Sequence, residues 1–292
     1  MALTYKDVKP LFLAELQSDP RAMMLWDMIE EGTATYAVAS EYAIRVGDSL
    51  ATVLRRNAPL ETIFEWDVED LIPGSLGLNH ELITGACQRV QEALNADAGI
   101  GIRYQPPIFD GDRCYGIVQE LLDNPEFTNI EDTFYDQLVN FSQNVVDESI
   151  RDNAEVLNGA GIRSMVIRTA EFKACPWCQE IAGRYDYEDV KGTGADVWRR
   201  HENCRCTIDY VTERNGSRYN QRVNNQRNAD SSARPASVVS RERQNRPTSV
   251  RKLYNTDEEY LAALSPDMRR QVLEARERLE AYYRAHPEQR AR

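Results

Sequence analysis

Apolar residues in the first 160 positions recur mostly at the three- and four-residue steps that place side chains on one face of a helix. Three stretches keep this pattern over several turns: residues 34–57, 79–96 and 130–157. The first ends in basic residues, which a helix C-terminus favours, and Asn79 is the expected N-cap of the second. Such stripes are typical of core and helix–helix contacts, so the sequence predicts a helical domain over residues 1–160.

The pattern changes after the third stretch, where short runs rich in β-branched residues replace the helical stripes. The glycines of NGAGIRS (158–164) end the helix, and SMVIRT (164–169) predicts a strand. Apolar and polar residues alternate along CRCTIDYV (204–211), which predicts a second strand. Because a CxxC turn and a glycine-punctuated loop lie between them, residues 161–212 are predicted to form a small α+β module.

Beyond this module the apolar periodicity disappears and then returns. Residues 213–252 are rich in Asn, Ser, Arg and Gln, and they cannot bury enough apolar surface to offset their ordering entropy. They are predicted to form a flexible arm. Residues 253–292 form a predicted C-terminal helical segment, which opens with a capping box at Thr256 and Glu259. Its apolar stripe, suited to dock on the body or on a partner, consists of Met268, Val272, Leu273, Leu279 and Tyr283.

The distribution of charge sharpens this division. The chain of 292 residues carries a formal net charge of −12. The basic arm (residues 213–252) holds ten Lys and Arg residues against three Asp and Glu residues, a net charge of +7. Such an arm is suited to neutralise phosphates and bind DNA without sequence preference, and a solvated tether is the alternative interpretation. No recognisable DNA-reading motif favours base-specific binding.

The sequence favours neither a membrane-spanning protein nor a secreted one. No apolar run approaches the roughly 18 residues that a membrane-spanning helix requires. The first ten residues, MALTYKDVKP, lack the basic and apolar regions of a secretory signal. We therefore expect a protein with no membrane partner that folds in a reducing cytosol.

Four of the six cysteines lie close together in the sequence, and a histidine accompanies them. They occupy CPWCQE (175–180) and HENCRC (201–206), whereas Cys87 and Cys114 stand alone and are predicted to be buried small hydrophobes. Structural zinc ions are held tetrahedrally by thiolates and imidazoles from two separate loops, often with a CxxC turn in one of them. The cluster therefore predicts a structural zinc site.

The first half of this site is the pair Cys175 and Cys178, while His201, Cys204 and Cys206 are three candidates for the second half. Cys204 and Cys206 would point to the same face of a strand, which makes an all-cysteine site feasible. His201 with Cys204 would instead give three thiolates and one imidazole. Zinc in such sites takes four ligands, so one of the five candidates is expected outside the coordination sphere.

Enzymatic interpretations explain less of the pattern. Cys-Pro-Trp-Cys is similar to the redox motif of glutaredoxins, but that interpretation leaves the HxxCxC cluster unexplained. A zinc deaminase would place its His-x-Glu before the cysteine pair, which is the reverse of the order here. A metal hydrolase needs an open coordination position, and the chain has only three histidines. We expect no enzyme; a thiol oxidoreductase or a metal-dependent hydrolase is the alternative.

The same motif resembles a signature of phage minor head proteins of the Mu F-like head-morphogenesis family, in which C-x2-C is followed by H-x2-C-R-C-T. The resemblance is close over about 50 residues. It implies a phage head component present in few copies, assembled in the host cytoplasm, that binds portal or major capsid protein and contacts packaged DNA. The residues that match the signature are Cys175, Cys178, His201, Cys204, Arg205, Cys206 and Thr207.

Overall fold

A computed structural model of the chain gives the positions of most residues up to 214. Nearly all of the basic arm and the whole of the predicted C-terminal helical segment, including its capping box and apolar stripe, lie outside the described residues. The described residues are 2–123, 131–171, 174–192, 195–201 and 204–214, together with Gly216 and Arg222.

Helices make up most of this part of the chain, which confirms a mainly helical fold with a small sheet. None of the described helices is both long and apolar enough to cross a membrane. Short 3₁₀ turns occupy Leu60–Glu65 and Asp196–Trp198. The α-helices are α1 (Tyr5–Ser18), α2 (Pro20–Glu30), α3 (Tyr36–Asn57), α4 (Val68–Ala98), α5 (Gly111–Asp123), α6 (Glu131–Gly159), α7 (Pro176–Glu180) and α8 (Tyr187–Val190).

Helix α4 begins eleven residues before the N-cap that the sequence predicts. Asn79 lies inside the helix, fully buried, and its side-chain amide donates to the hydroxyl of Ser142 on α6 at 2.8 Å. The helix continues through Pro73 even though proline removes one backbone hydrogen bond. Every residue from 71 to 80 is buried, and this burial offsets the cost of the proline. The predicted N-cap was therefore wrong because tertiary packing overrides the local signal.

Three strands form one antiparallel sheet in the order β2-β1-β3. The central strand β1 (Ser164–Thr169) matches its predicted bounds, and it pairs with β2 (Gly183–Asp186) and β3 (Thr207–Thr212). Strand β3 begins after CRC, so Cys204 and Cys206 lie in the preceding loop and not in the strand.

Helix α3 covers the outer edge of β3. The hydroxyl of Ser40 donates to the carbonyl of Ile208 at 2.9 Å and accepts from the Ile208 amide at 3.4 Å. The carboxylate of Asp209 accepts from the Tyr36 amide at 3.1 Å, and thereby caps the helix in place of Thr35. One apolar core runs from α1 to β3, so the predicted domains 1–160 and 161–212 share it.

Candidate metal centre

All five predicted ligands lie in two short segments at one end of the sheet. Cys175 ends the loop that leads from β1, Cys178 lies in the short helix α7 that follows, and the other three precede β3. Cys175 is the N-cap of α7, with Pro176 as its first residue, and its sulfur accepts from the Cys178 amide at 3.4 Å. Proline pre-sets the first helical turn, which folds the CxxC sequence into a tight turn with both sulfurs on one side.

The ligand atoms form two groups of three that share Cys178. Cys175, Cys178 and His201 form one triad, while Cys178, Cys204 and Cys206 form the other, and within each triad the ligand atoms lie within 4.8 Å of one another. The imidazole Nε2 of His201 is 3.3 Å from the sulfur of Cys175 and 3.1 Å from that of Cys178. The sulfurs of Cys178 and Cys204 are 3.9 Å apart.

These distances suit a tetrahedral metal ion. With Zn–S bonds of about 2.3 Å and Zn–N bonds of about 2.0–2.1 Å, two ligand atoms of a tetrahedral zinc lie about 3.5–3.8 Å apart. The two triads together supply one ligand more than the four positions of such an ion. The geometry could therefore hold a metal ion.

The cluster is largely closed to solvent. Cys178, Cys204 and Cys206 are at most 2% exposed, while Cys175 and His201 are partly exposed. The three buried cysteines form a small cluster of their own, separate from the main apolar core. The partly buried residues packed against them are Ala170, Ala174, Cys175 and Trp177.

A buried ion pair fixes the second loop on helix α6. The guanidinium of Arg200 donates to both carboxylate oxygens of Asp147, at 2.7 and 2.8 Å, and these side chains are only 3% and 2% exposed. Arg200 also donates to the carbonyl of Cys206 at 2.7 Å. This fork geometry ties the backbone of the loop directly to the helix.

Further polar contacts hold the same loop on α3 and α6. Arg205 donates to both carboxylate oxygens of Asp48 on α3, at 2.7 and 2.8 Å. On α6, Asn140 donates to the carbonyl of His201 at 3.2 Å, and Gln143 donates to the carbonyl of Cys206 at 3.4 Å. The loop that carries three of the predicted ligands is therefore positioned by the helical body.

Arg168 on β1 reaches the cluster from the sheet. Its side chain is buried, and it donates to the carbonyl of Val197 at 2.6 Å. The same guanidinium lies 3.7 Å from the sulfur of Cys178 and 3.6 Å from that of Cys204. It also faces the Trp177 ring, 5.8 Å from the ring centroid.

Of these arginines, only Arg205 belongs to the signature in the sequence; Arg168, Arg200 and the acidic partners were not predicted. The signal for Arg168 was its place in SMVIRT, two residues from Val166 and hence on the same inward face of the strand. The signal for Arg200 and Arg205 was their position beside the ligands in RRHENCRC, but nothing local points to acidic partners more than 50 residues away.

The thiols differ in acidity. A hydrogen bond from Cys206, together with the charges of Arg200 and Arg168, lowers the pKa of Cys204 well below that of an ordinary thiol, against the opposing effect of burial. The same hydrogen bond and burial raise the pKa of Cys206, and burial raises that of Cys178. Negative charge in the cluster is therefore favoured on Cys204.

The two remaining cysteines do not join the cluster. Cys87 and Cys114 are fully buried, as predicted for small hydrophobes, and both lie in helices of the body. Burial raises the pKa of each to about 12, which keeps the thiols protonated and unreactive.

No family model, curated protein or solved structure matches the chain. The resemblance of the Cys- and His-containing motif to phage head proteins therefore stays a prediction, and the chemistry of the centre is argued from its own geometry.

Proposed function

We propose that the protein is a structural component of a phage head, in the role of a minor head or head-morphogenesis protein, and that a zinc ion holds its two Cys- and His-containing loops together. The observation that carries the zinc proposal is the closed cluster itself. Five candidate ligands form two triads that share Cys178, with the atoms of each triad within 4.8 Å of one another, and ion pairs from α3 and α6 hold one loop in place. A metal ion that takes all four of its ligands from the protein would cross-link the chain and leave no coordination position for a substrate.

The donor set fits zinc. Thiolate sulfurs with one imidazole are ligands that zinc prefers, and four of Cys175, Cys178, His201, Cys204 and Cys206 would hold it. A bound ion would supply a cross-link between the turn at α7 and the loop before β3. Partly buried Cys175 and His201 would form its outer side.

The zinc proposal is tested by measuring the metal content of the full chain purified under reducing conditions. We expect about one zinc per chain, and loss of that zinc in Cys178→Ser because Cys178 belongs to both triads. Cys87→Ser is the matched control, since it changes a thiol that is equally buried but belongs to the main apolar core and not to the cysteine cluster. A wild-type protein that neither contains nor takes up zinc would overturn the proposal.

The role in a phage head is supported by the C-x2-C and H-x2-C-R-C-T motif, whose loops the fold brings together. The test is co-purification with the portal subunit encoded in the same genome, together with quantification of the protein in purified particles. We expect the protein in particles in few copies and bound to portal or capsid subunits. Its absence from intact particles would contradict this role.

A thiol oxidoreductase is the second candidate, because Cys175 is a partly exposed N-cap residue of a short helix, as in dithiol enzymes. The assay is thiol–disulfide exchange with a model disulfide, run on metal-free and zinc-loaded protein. We expect no turnover by either form. Catalytic exchange that is lost in Cys175→Ser would favour the redox function over the structural one.

Contact with DNA is proposed for the basic arm. At Arg222 the arm is attached to the body: the guanidinium donates to the carboxylate of Asp97, at 2.5 and 3.0 Å, and to the carbonyl of Ala34. Deleting residues 223–252 should abolish salt-sensitive DNA binding and leave the zinc content unchanged. DNA binding that survives this deletion would remove the arm from the proposal.

A further inference from the structure

Arg168 differs from the other two arginines at the metal centre. Arg200 is paired with Asp147 and Arg205 with Asp48, so each of these positive charges has a carboxylate beside it. Among the described residues, no carboxylate lies within ion-pair distance of Arg168, whose hydrogen bonds go to one carbonyl and two sulfurs.

A buried guanidinium needs a nearby negative charge. Arg168 is only 2% exposed, and transferring an unpaired cation out of water costs several kcal/mol even after relaxation. Since the sulfurs of Cys178 and Cys204 are its charged neighbours when they coordinate a metal, the compensating charge comes from the metal centre itself.

The balance of charge distinguishes the possible ligand sets. A divalent ion with three thiolates and one neutral imidazole leaves a single negative charge, which one guanidinium neutralises. Four thiolates would leave two negative charges for Arg168 to balance, because Arg200, although one of its nitrogens lies 4.0 Å from the Cys204 sulfur, already has Asp147 as its counterion. Burial in a closed site favours the neutral combination.

We infer that, if the proposed zinc site is correct, its ligands are Cys175, Cys178, His201 and Cys204, that Cys206 lies outside the coordination sphere, and that Arg168 is the residue that selects this set. The proximity of the imidazole to the sulfurs of Cys175 and Cys178, 3.3 and 3.1 Å, independently favours His201 as a ligand. Arg168 hydrogen-bonds two of the thiolates and is a positioning residue, since it does not bind the metal.

The ligand set is tested with Cys204→Ser and Cys206→Ser. These matched variants change buried residues two positions apart in one loop. We expect Cys204→Ser to lose zinc and Cys206→Ser to retain about one ion per chain. X-ray absorption of the wild-type zinc protein should show three sulfur ligands and one nitrogen. Four sulfurs, or equal loss of zinc in both variants, would overturn the inference while leaving the zinc site itself intact.

The role of Arg168 is tested by competition of the full-length protein with a chromophoric zinc chelator. Arg168→Met keeps most of the side-chain volume but removes the charge and the donors, so we expect zinc affinity to fall about 10- to 100-fold. Arg168→Lys keeps the positive charge but not the forked donors of the guanidinium, so its zinc affinity should fall less than that of Arg168→Met. Circular dichroism of the zinc-loaded variants shows whether they are folded. Unchanged affinity in a folded Arg168→Met would overturn the role, whereas a wild type that takes up no zinc would overturn the site.

Discussion

The helical body and the metal loops (residues 170–171, 174–180, 199–201 and 204–206) are stabilised by different interactions. The body packs through an extended apolar core whose members come from every helix from α1 to α6. The buried cluster of the metal loops consists of only three cysteines with a few partly buried apolar neighbours, and the second loop is tied to the body by arginine–carboxylate pairs. Burial of apolar surface therefore stabilises the body, whereas the loops rely on arginine–carboxylate pairs and, under the proposed function, on a bound zinc ion.

This contrast predicts that removal of the metal unfolds only part of the molecule. Cys178→Ser should produce the largest effect, because binding free energies of about 10–16 kcal/mol are typical of structural zinc sites in small domains. Hydrogen exchange followed by mass spectrometry should show faster exchange in peptides that cover residues 176–180 and 204–206. Peptides from α3 and α6 should keep their protection. Equal loss of protection in loops and helices would show that the two regions are not distinct.

The buried ion pair that joins the metal loops to the body should contribute more stability than an exposed local pair. Asp147→Asn leaves the buried charge of Arg200 without its partner, so we expect a loss of about 3–5 kcal/mol in the free energy of unfolding. Asp196→Asn is the matched control, because Asp196 pairs with the neighbouring Arg199 in an exposed site, with side chains 58% and 67% exposed. There we expect at most about 0.5 kcal/mol. Similar losses in denaturant titrations of both variants would contradict the assigned role of Arg200.

The sequence predicted elements well where the signal is local. The strand at residues 164–169 and the ends of α3 and α6 follow from β-branched runs, basic last turns and glycines close to the residues concerned. The start of α4 could not be found in this way, since the helix continues through Pro73 where it is buried, with Gly74 packed against the Tyr5 ring of α1. Asp209 shows the same limit: it caps α3 from a strand 173 residues away.

The candidate site shows the same difference between local sequence signals and long-range packing. Its five possible ligands follow from the spacing of Cys and His in two short motifs, and the fold brings all five together. Arg168 and the acidic partners of Arg200 and Arg205 depend on how β1, α3 and α6 pack, which no local pattern specifies. Residue types therefore indicate that the site could hold a metal, whereas the charged residues around the site can be identified only from the fold.

Acid should destabilise the body through one buried histidine. His80 is fully buried, with its ring 5.6 Å from that of Phe109, and burial lowers its pKa to about 4. Its pKa in the unfolded chain is about 6.5. The stability that depends on neutral His80 is thus fully present above pH 6.5 and is lost as the pH falls towards 4, by about 3 kcal/mol.

The measurement compares unfolding of the wild type and His80→Gln from pH 7 to pH 4. Metal ligands are also protonated in acid, and this effect is common to both proteins. The wild type should therefore lose about 3 kcal/mol more than the variant over this range. Parallel pH profiles would show that His80 does not limit the stability of the body in acid.

The smallest predicted effect concerns the packing of α3 on α6 and needs no charge. A Cβ at Gly47 would lie 2.7 Å from the hydroxyl oxygen of Ser142 and 2.8 Å from the backbone of Val139, so Gly47→Ala forces the helices apart. Overpacking of this kind costs about 1–3 kcal/mol. At Gly85, inside α4, the nearest atom is the end of the Arg89 side chain at 3.8 Å, so Gly85→Ala should stabilise the helix by about 0.5–1 kcal/mol. If packing alone stabilises the body, the unfolding midpoint should fall in Gly47→Ala and rise in Gly85→Ala, with equal zinc content in both variants. A loss of zinc in Gly47→Ala would instead show that a change in the spacing of α3 and α6 reaches the metal loops through Asp48 and Asp147.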